Sequence, residues 1–523
     1  MAIQIITADD AAALIKDYDT VIVGGSAGMG AAESVLAAIE RAFLTNGKPR
    51  DLGIIHTTGI GAFTEKGLNH LAHRGLVKRV IGGNYGLQLP FMKELIVSNA
   101  IEAYNLPQGV ICQLYRAMAA KHPGVISHVG LQTYIDPRQE GGKMNTTTTE
   151  DIIEVVTLAG REWLFYHAPV AQVALIRGTS ADEDGNVSLE HEATTLDGIS
   201  IAQAVHNAGG TVICQVERLA QRGSLHPQMV RIPGFLIDRF VVVPDQWQNF
   251  AVRFDASLCG ETRRPIATIA PGPLNERRVI SRRSAFELMP GAVINLGVGV
   301  SAGIPNVLNE ERLNDLVLLT VESGVIGGVP GEGLYFGSVY NPSAIIDQGY
   351  QFDFYDGGGL DMAFVSFAEV DAEGNVNVTR FGNRNDGSGG FIDITQTAKR
   401  IVFSGTLVGG SAKLTVAGGK LAIQAEGTVR KFVPRVGQIS YNGRLGLERG
   451  QDVTFVSERA VLRLTRDGLT LTEIAPGVRV KEDVLAHIGF EMKVSAGLKT
   501  MDARIFREGP MGLREDIMAR CTA

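Results

Sequence analysis

Apolar positions along this chain gather in short, nearly unbroken runs rather than in long amphipathic stripes. The run Leu316-Val317-Leu318-Leu319-Thr320-Val321 is of this kind: branched apolar residues with one threonine, the pattern of a strand buried on both faces. It ends on Glu322, and Gly324, Gly327 and Gly328 follow. Earlier, Thr20-Val21-Ile22-Val23 leads into Gly24-Gly25-Ser26-Ala27-Gly28-Met29-Gly30. Its partner is Ala292-Val293-Ile294-Asn295-Leu296, which leads into Gly297-Val298-Gly299-Val300-Ser301-Ala302-Gly303. Both read as a strand, a glycine-rich turn and then a helix.

The pairing extends further. Asp51-Leu52-Gly53-Ile54-Ile55-His56-Thr57-Thr58-Gly59-Ile60-Gly61 matches the stretch from Asp315 through Gly327. Asp182-Glu183-Asp184-Gly185-Asn186-Val187 matches Asp371-Ala372-Glu373-Gly374-Asn375-Val376, each a hairpin-type turn between alternating strands. Recurrence on this scale predicts two homologous α/β domains rather than a solenoid. The first copy carries a longer insertion, 62–145, expected to wall a crevice shared by the two. The boundaries fall at 1–262 and 284–523, joined by a Pro- and Arg-rich linker over 263–283. After Arg430 the pattern is of irregular strands, a hairpin over 461–471 around Asp467-Gly468, and one late helix.

Length agrees with more than one core, since 523 residues exceed a single domain. Apolar residues at 45% and charged residues at 20% are ordinary for a globular protein. A net charge of −7 without a basic stripe argues against nucleic acid. The arginines at 263–264, 277–278 and 282–283 read as a solvated linker, with a clamp for an anionic cofactor tail as the alternative. Cys112, Cys214, Cys259 and Cys521 form no Cys-x-x-Cys pair, and no stretch reaches ~18 apolar residues. A reduced, cytoplasmic protein without membrane spans is the expectation.

The glycine turns each admit a sharper reading. A dinucleotide fingerprint fails in both registers of residues 24–30, because Val23 and Glu33 stand where glycines are required. Gly24-Gly25-Ser26-Ala27-Gly28 is a literal G-x-S-x-G, yet no acid-then-histidine pair downstream stands out, and the sister turn has no serine there. The amides of 297–303 either make a strand-to-helix turn or hold a phosphate or oxyanion. Gly387-Ser388-Gly389-Gly390-Phe391-Ile392-Asp393 is either a flexible loop or a second wall of such a site. His56 and His191 read as core or surface residues, and no metal constellation emerges. Glu322 stands apart because its counterpart in the first copy is Thr58. A carboxylate serving the fold would be usable in both copies; one present once points to a task done once per chain.

Taken together, Glu322-x-Gly324 with Ile326-Gly327-Gly328, the upstream Asn295-Leu296-Gly297-Val298-Gly299 and the downstream Gly387-x-Gly389-Gly390 with Asp393 resemble family I coenzyme A transferases. Residues 107–116, 129–143 and 471–477 are similar to the short-chain acyl type of that family. The resemblance implies two open α/β domains fused in one chain, α-subunit-like and β-subunit-like, with the active site between them. It implies transfer of coenzyme A (CoA) from an acyl-CoA to a short-chain carboxylate through a glutamyl-CoA thioester on Glu322. Backbone amides of Gly299, Gly389 and Gly390 are then the expected oxyanion donors. Gly297, Val298, Val300, Gly324, Gln108 and Gln113 are the expected substrate or CoA contacts. No permanent cofactor and no metal are expected, CoA being a substrate, and a homo-oligomer, dimer or tetramer, is. An acyl-CoA thioesterase on the same fold and a non-catalytic CoA sensor are the alternatives.

Overall fold

The computed structural model describes residues 3–265, 272–382 and 384–522, without the side chains of 521 and 522. Two compact units divide the chain, and they do not follow the expected linear halves. The first comprises Met1–Arg264, Val321–Asp353 and Asn385–Asp393; the second comprises Pro265–Thr320, Phe354–Arg384 and Ile394–Ala523.

The first unit is built on a seven-stranded sheet. Its strands are β1 (Thr20–Val23), β2 (Leu52–His56), β3 (Val77–Gly82), β4 (Glu102–Asn105), β5 (Val173–Arg177), β6 (Thr211–Val216) and β7 (Arg239–Val242). They lie side by side as β7-β6-β5-β1-β2-β3-β4, every neighbour parallel. Alternate side chains of the apolar runs go to opposite faces, so each face acquires its own core. Val21, Val23 and Ile54 pack with Val35, Leu36 and Ile39 of helix α1 (Glu33–Asn46). Ile22, Ile55 and Ile176 pack with Val110, Ile111 and Leu114 of α2 (Gln108–Ala119) and Ile201 of α3 (Gly198–Asn207). The insertion 62–145 is mainly not a wall: it adds β3 and β4 to the sheet and supplies α2. A further helix, α4 (Gln348–Asp356), has its residues up to Asp353 in this unit.

In the second unit the strands are β8 (Val293–Leu296), β9 (Leu318–Val321), β10 (Met362–Ser366), β11 (Arg400–Ser404) and β12 (Asp452–Val456). They run in the order β12-β11-β10-β8-β9, again all parallel. This is strand for strand the order β7-β6-β5-β1-β2 of the first unit, so the repeat read in the sequence is a repeat of topology. Beyond β12 the copies diverge. β13 (Ala460–Thr465) and β14 (Gly468–Ile474) form the expected hairpin, and β15 (Lys493–Thr500) pairs with β14.

The expected linker is another departure. Residues 266–271 lie outside the described residues, but Glu276–Ala285 form a helix capped by Asn275. Arg277 is exposed, but Arg278, Arg282 and Arg283 are neither solvated nor arranged as an anion clamp. Arg282 is fully buried and paired with Glu310, while Arg283 reaches Glu287 and Glu473. No helix among the described residues is long and apolar enough to cross a membrane.

Candidate active site

β9 delivers Glu322 into a tight turn that the Gly324 N–H closes on the Val321 carbonyl at 3.0 Å. Gly324 has φ +92°, and a Cβ there would fall 2.1 Å from the Ile346 carbonyl oxygen, so only glycine fits. Ser323 is pinned on both sides: its hydroxyl donates to the Gly337 carbonyl at 2.7 Å, and its carbonyl accepts from the Thr194 hydroxyl. Val325–Ile326 then pairs antiparallel with Ala344–Ile345. The backbone flanking Glu322 is therefore rigidly held while its side chain stays half-buried, which suits a group that must meet a ligand.

The segment Asn385–Asp393 lies against this carboxylate. A Cβ built on Gly390 would stand 3.1 Å from Cγ of Glu322 and 3.1 Å from the Phe352 ring. First-half residues anchor the segment: Ser388 N–H donates to Asn105 Oδ1 at 2.9 Å, and Gly109 N–H donates to Asp393 Oδ1 at 3.1 Å. The expectation for Gly389 fails here. Its N–H donates to the Gly83 carbonyl at 2.6 Å, and its carbonyl accepts from the Gln108 N–H at 3.0 Å. An amide already spent on a protein carbonyl is not available to an oxyanion. The Gly390 N–H has no partner among the described residues.

Gln108 opens α2 beside this segment, its Oε1 3.6 Å from a Cβ built on Gly389. It is buried, and its Nε2 donates to Gln348 Oε1 at 3.3 Å. Gln113 does not join it. Its amide donates to Asp353 Oδ1 at 3.3 Å, beside the two-pronged Arg116–Asp353 pair that clips α2 to α4. The substrate contact expected of Gln113 is thus replaced by a structural one.

Residues 297–300 belong to the second unit, where they follow β8 at the point of strand-order reversal, the usual place of ligands in open α/β sheets. Gly297 N–H donates to the Phe364 carbonyl at 2.8 Å and Val300 N–H to Ser366 Oγ at 3.1 Å, so both amides are committed. The Gly299 N–H has no partner among the described residues. Val298 is 54% exposed, presenting an apolar side chain to solvent.

Behind Gln108 lies a polar cluster that the sequence did not disclose. Asp197 Oδ2 accepts from Gln348 Nε2 at 2.8 Å and Thr57 Oγ1 at 3.1 Å, with Cys112 Sγ at 3.6 Å. Burial pushes the Asp197 carboxyl up to about 6, against the pull of the hydrogen bonds from Thr57, Cys112 and Gln348; the charge of Asp347 adds to the rise. No motif marks these residues, because they come from four separate stretches that only the fold assembles. His56 is a core residue as expected. Burial pushes it down to about 4, and its neutral ring donates from Nδ1 to the Thr58 carbonyl at 2.8 Å. Ser26 is buried in a turn that closes on Met29, and no histidine or carboxylate among the described residues bonds to it. A hydrolase elbow needs both.

A model of the coenzyme A transferase family matches residues 5–243. The chain is 44% identical over 512 residues to acetate CoA-transferase YdiF of Escherichia coli strain K12, covering 98% of this chain and 96% of that one. It is 40% identical over 518 residues to caffeate CoA-transferase of Acetobacterium woodii, covering 98% of each. Its structure resembles that of acyl-CoA transferase YdiF from Escherichia coli O157:H7 in a thioester complex with CoA. The TM-score is 0.92 at 43% identity, covering 98% of this chain and 97% of that one.

Proposed function

The chain belongs to the coenzyme A transferase family and is a CoA-transferase, and from that premise we propose that Glu322 is the group that carries CoA covalently. The observation behind this is the setting of Glu322: a rigid turn, a half-buried carboxylate, and Gly390 packed on its Cγ with an unspent amide. A thioester complex with CoA in the relative's structure supports the same reading.

The reaction proceeds without a proton transfer or a metal ion in any step we assign. The Glu322 carboxylate attacks the thioester carbonyl of acyl-CoA. The C–S bond breaks, leaving a mixed anhydride and CoA thiolate. The thiolate attacks the glutamyl carbonyl and expels the free carboxylate, which leaves a glutamyl-CoA thioester. A second carboxylate enters by the reverse sequence and departs as acyl-CoA. The tetrahedral intermediates carry an oxyanion, for which we assign the Gly390 N–H and the second N–H of Gln108. One such donor typically contributes on the order of a hundredfold in rate. We assign residues 297–300 to CoA, and the acceptor to short-chain acids, in keeping with the acetate in the name of one relative. A cytoplasmic homo-oligomer, dimer or tetramer, completes the proposal.

The test is a peptide mass. After incubation with propionyl-CoA and digestion, the peptide bearing Glu322 should gain one CoA less water, and Glu322→Ala should lose transfer by at least about a thousandfold. An adduct on another peptide, or transfer surviving in Glu322→Ala, would overturn the assignment. CoA release that ignores added acetate and disappears in Ser26→Ala would instead favour a thioesterase.

A further inference from the structure

We propose that Asp197, acting through Gln348, is a positioning residue that fixes which way the Gln108 amide faces beside Glu322. This rests on the assignment of Glu322 and Gln108 above and extends it to residues that touch no substrate.

The argument is one of donors and acceptors. An ionised carboxylate only accepts hydrogen bonds. Asp197 Oδ2, 2.8 Å from the Gln348 amide, therefore selects its nitrogen, not its oxygen. With the nitrogen turned to Asp197, the end of Gln348 facing Gln108 is Oε1, which can only accept. Gln108 must answer with its own nitrogen, as it does at 3.3 Å. A side-chain amide carries two N–H groups, so one remains for a ligand, and it has no partner among the described residues. Without the relay, the Gln108 amide could rotate by half a turn and present its oxygen, which would repel an oxyanion rather than stabilise it.

The polarity of this relay depends on the charge of Asp197. Groups from β2, α2 and α4 face it. Thr57 donates from the end of β2, and Tyr115 Oη of α2 lies 3.4 Å from the Thr57 hydroxyl. Cys112 faces it from the same helix. Burial pushes both the Cys112 thiol and the Tyr115 phenol well above their usual ranges, so both stay neutral. Gln348 faces it from α4, and Asp347 beside it is the further charge that acts on it. Arg116, on α2 as well, is bound by Asp353. With burial lifting Asp197 to about 6, protonation converts an obligate acceptor into a group that can also donate, and the relay loses its single direction. Turnover is then expected to fall as pH drops through about 6.

The experiment measures kcat and KM for propionyl-CoA from pH 5 to 8, with melting temperature as the check on folding. Asp197→Asn should lower kcat at neutral pH on the order of tenfold and abolish the acid limb near 6, with KM within about twofold of wild type. A double-mutant cycle supplies the decisive arm. Gln348→Met should lower kcat on the order of tenfold alone, yet cost nothing further in a Gln108→Met background. An equal cost with and without Gln108 would refute the relay, as would Asp197→Asn keeping wild-type kcat and the acid limb. Should Asp197→Asn fail to fold, the Gln348 cycle decides by itself. Failure of the Glu322 assignment would show separately, as transfer surviving in Glu322→Ala.

Discussion

Gly390 offers the most direct probe of how closely the site is built. It is not in the left-handed region, so alanine there carries no backbone strain, and its effect must come from the new methyl. That methyl would sit 3.1 Å from Glu322 Cγ and 3.1 Å from the Phe352 ring, against an ordinary contact of roughly 3.7 Å. The ring is held in the packing of α4, so the half-buried glutamate side chain gives way, by roughly half an ångström. A misplacement of about 1 Å can cost about a hundredfold, so Gly390→Ala should lower kcat by about tenfold. Its stability cost should be near the lower end of the 1–3 kcal/mol typical of overpacking, about 1 kcal/mol, because one of the two neighbours can move. Gly389→Ala is the control. Gly389 has φ +55°, so alanine costs about 1 kcal/mol of backbone strain, but its nearest neighbour would be 3.6 Å away. Steady-state transfer from propionyl-CoA to acetate, the rate of CoA labelling of the Glu322 peptide, and melting temperature separate the two variants. Gly390→Ala should label slowly while melting near wild type. Gly389→Ala should melt lower while keeping kcat within about threefold. Wild-type labelling by Gly390→Ala, or slower labelling by Gly389→Ala than by Gly390→Ala, would show that the carboxylate is not positioned by this contact.

Two further outcomes follow from ion pairs away from the site. His70, on the short turn Gly67–Leu71, lies 2.9 Å from Glu33 and 2.5 Å from Glu40 of α1. Burial opposes its charge, but the two glutamates outweigh it and raise its pKa; burial likewise works against Glu40, which His70 and His73 nevertheless lower. The His70 contribution is thus complete below about pH 6.5 and is lost as pH rises through the raised value, while that of Glu40 is lost as pH falls below about 4. Melting temperature should drop from pH 6 to 8.5 by less in His70→Gln than in wild type, and an equal drop in both would refute this. Arg282, fully buried, binds Glu310 and the carbonyls of Arg507 and Gly509. Arg282→Ala should destabilise the second unit by about 3–5 kcal/mol, read as an earlier transition in calorimetry; an unchanged transition would mean that the network relaxes around the loss.

Strands β1, β2, β8 and β9 were legible because each is a short apolar run with glycine within three residues of its end, and the hairpin over 461–471 because Asp467-Gly468 marks its turn. The helix Glu276–Ala285 was not, since arginine-rich segments ordinarily lie in water. Here Arg283 meets Glu473, distant by 190 positions, and no local pattern can reveal such a partner. Gly389 was misjudged for the same reason. Glycines do mark a loop with amides to spare, but which amide is spent depends on Gly83, far away in the first half. Asp197 and Gln348 were invisible because single polar residues acquire meaning only once Thr57, Cys112 and Gln108 stand around them.

The contrast between Glu322 and Thr58 also acquires a physical cause. Both follow the second strand of the same topology, yet their surroundings differ. Thr58 is 5% exposed, and its carbonyl takes the only hydrogen bond that the buried His56 ring makes among the described residues. A carboxylate at that place would enter a closed core, and an unpaired buried charge is costly enough to be driven neutral instead. In the second copy the chain after β9 departs: Val321–Asp353 and Asn385–Asp393 belong to the first compact unit, not to the second. That departure leaves Glu322 half-buried, with Gly390 on one side and Gln108 against the neighbouring Gly389. The duplication therefore supplied two equivalent strand ends, and the repacking of two second-half segments left only one of them open to a ligand.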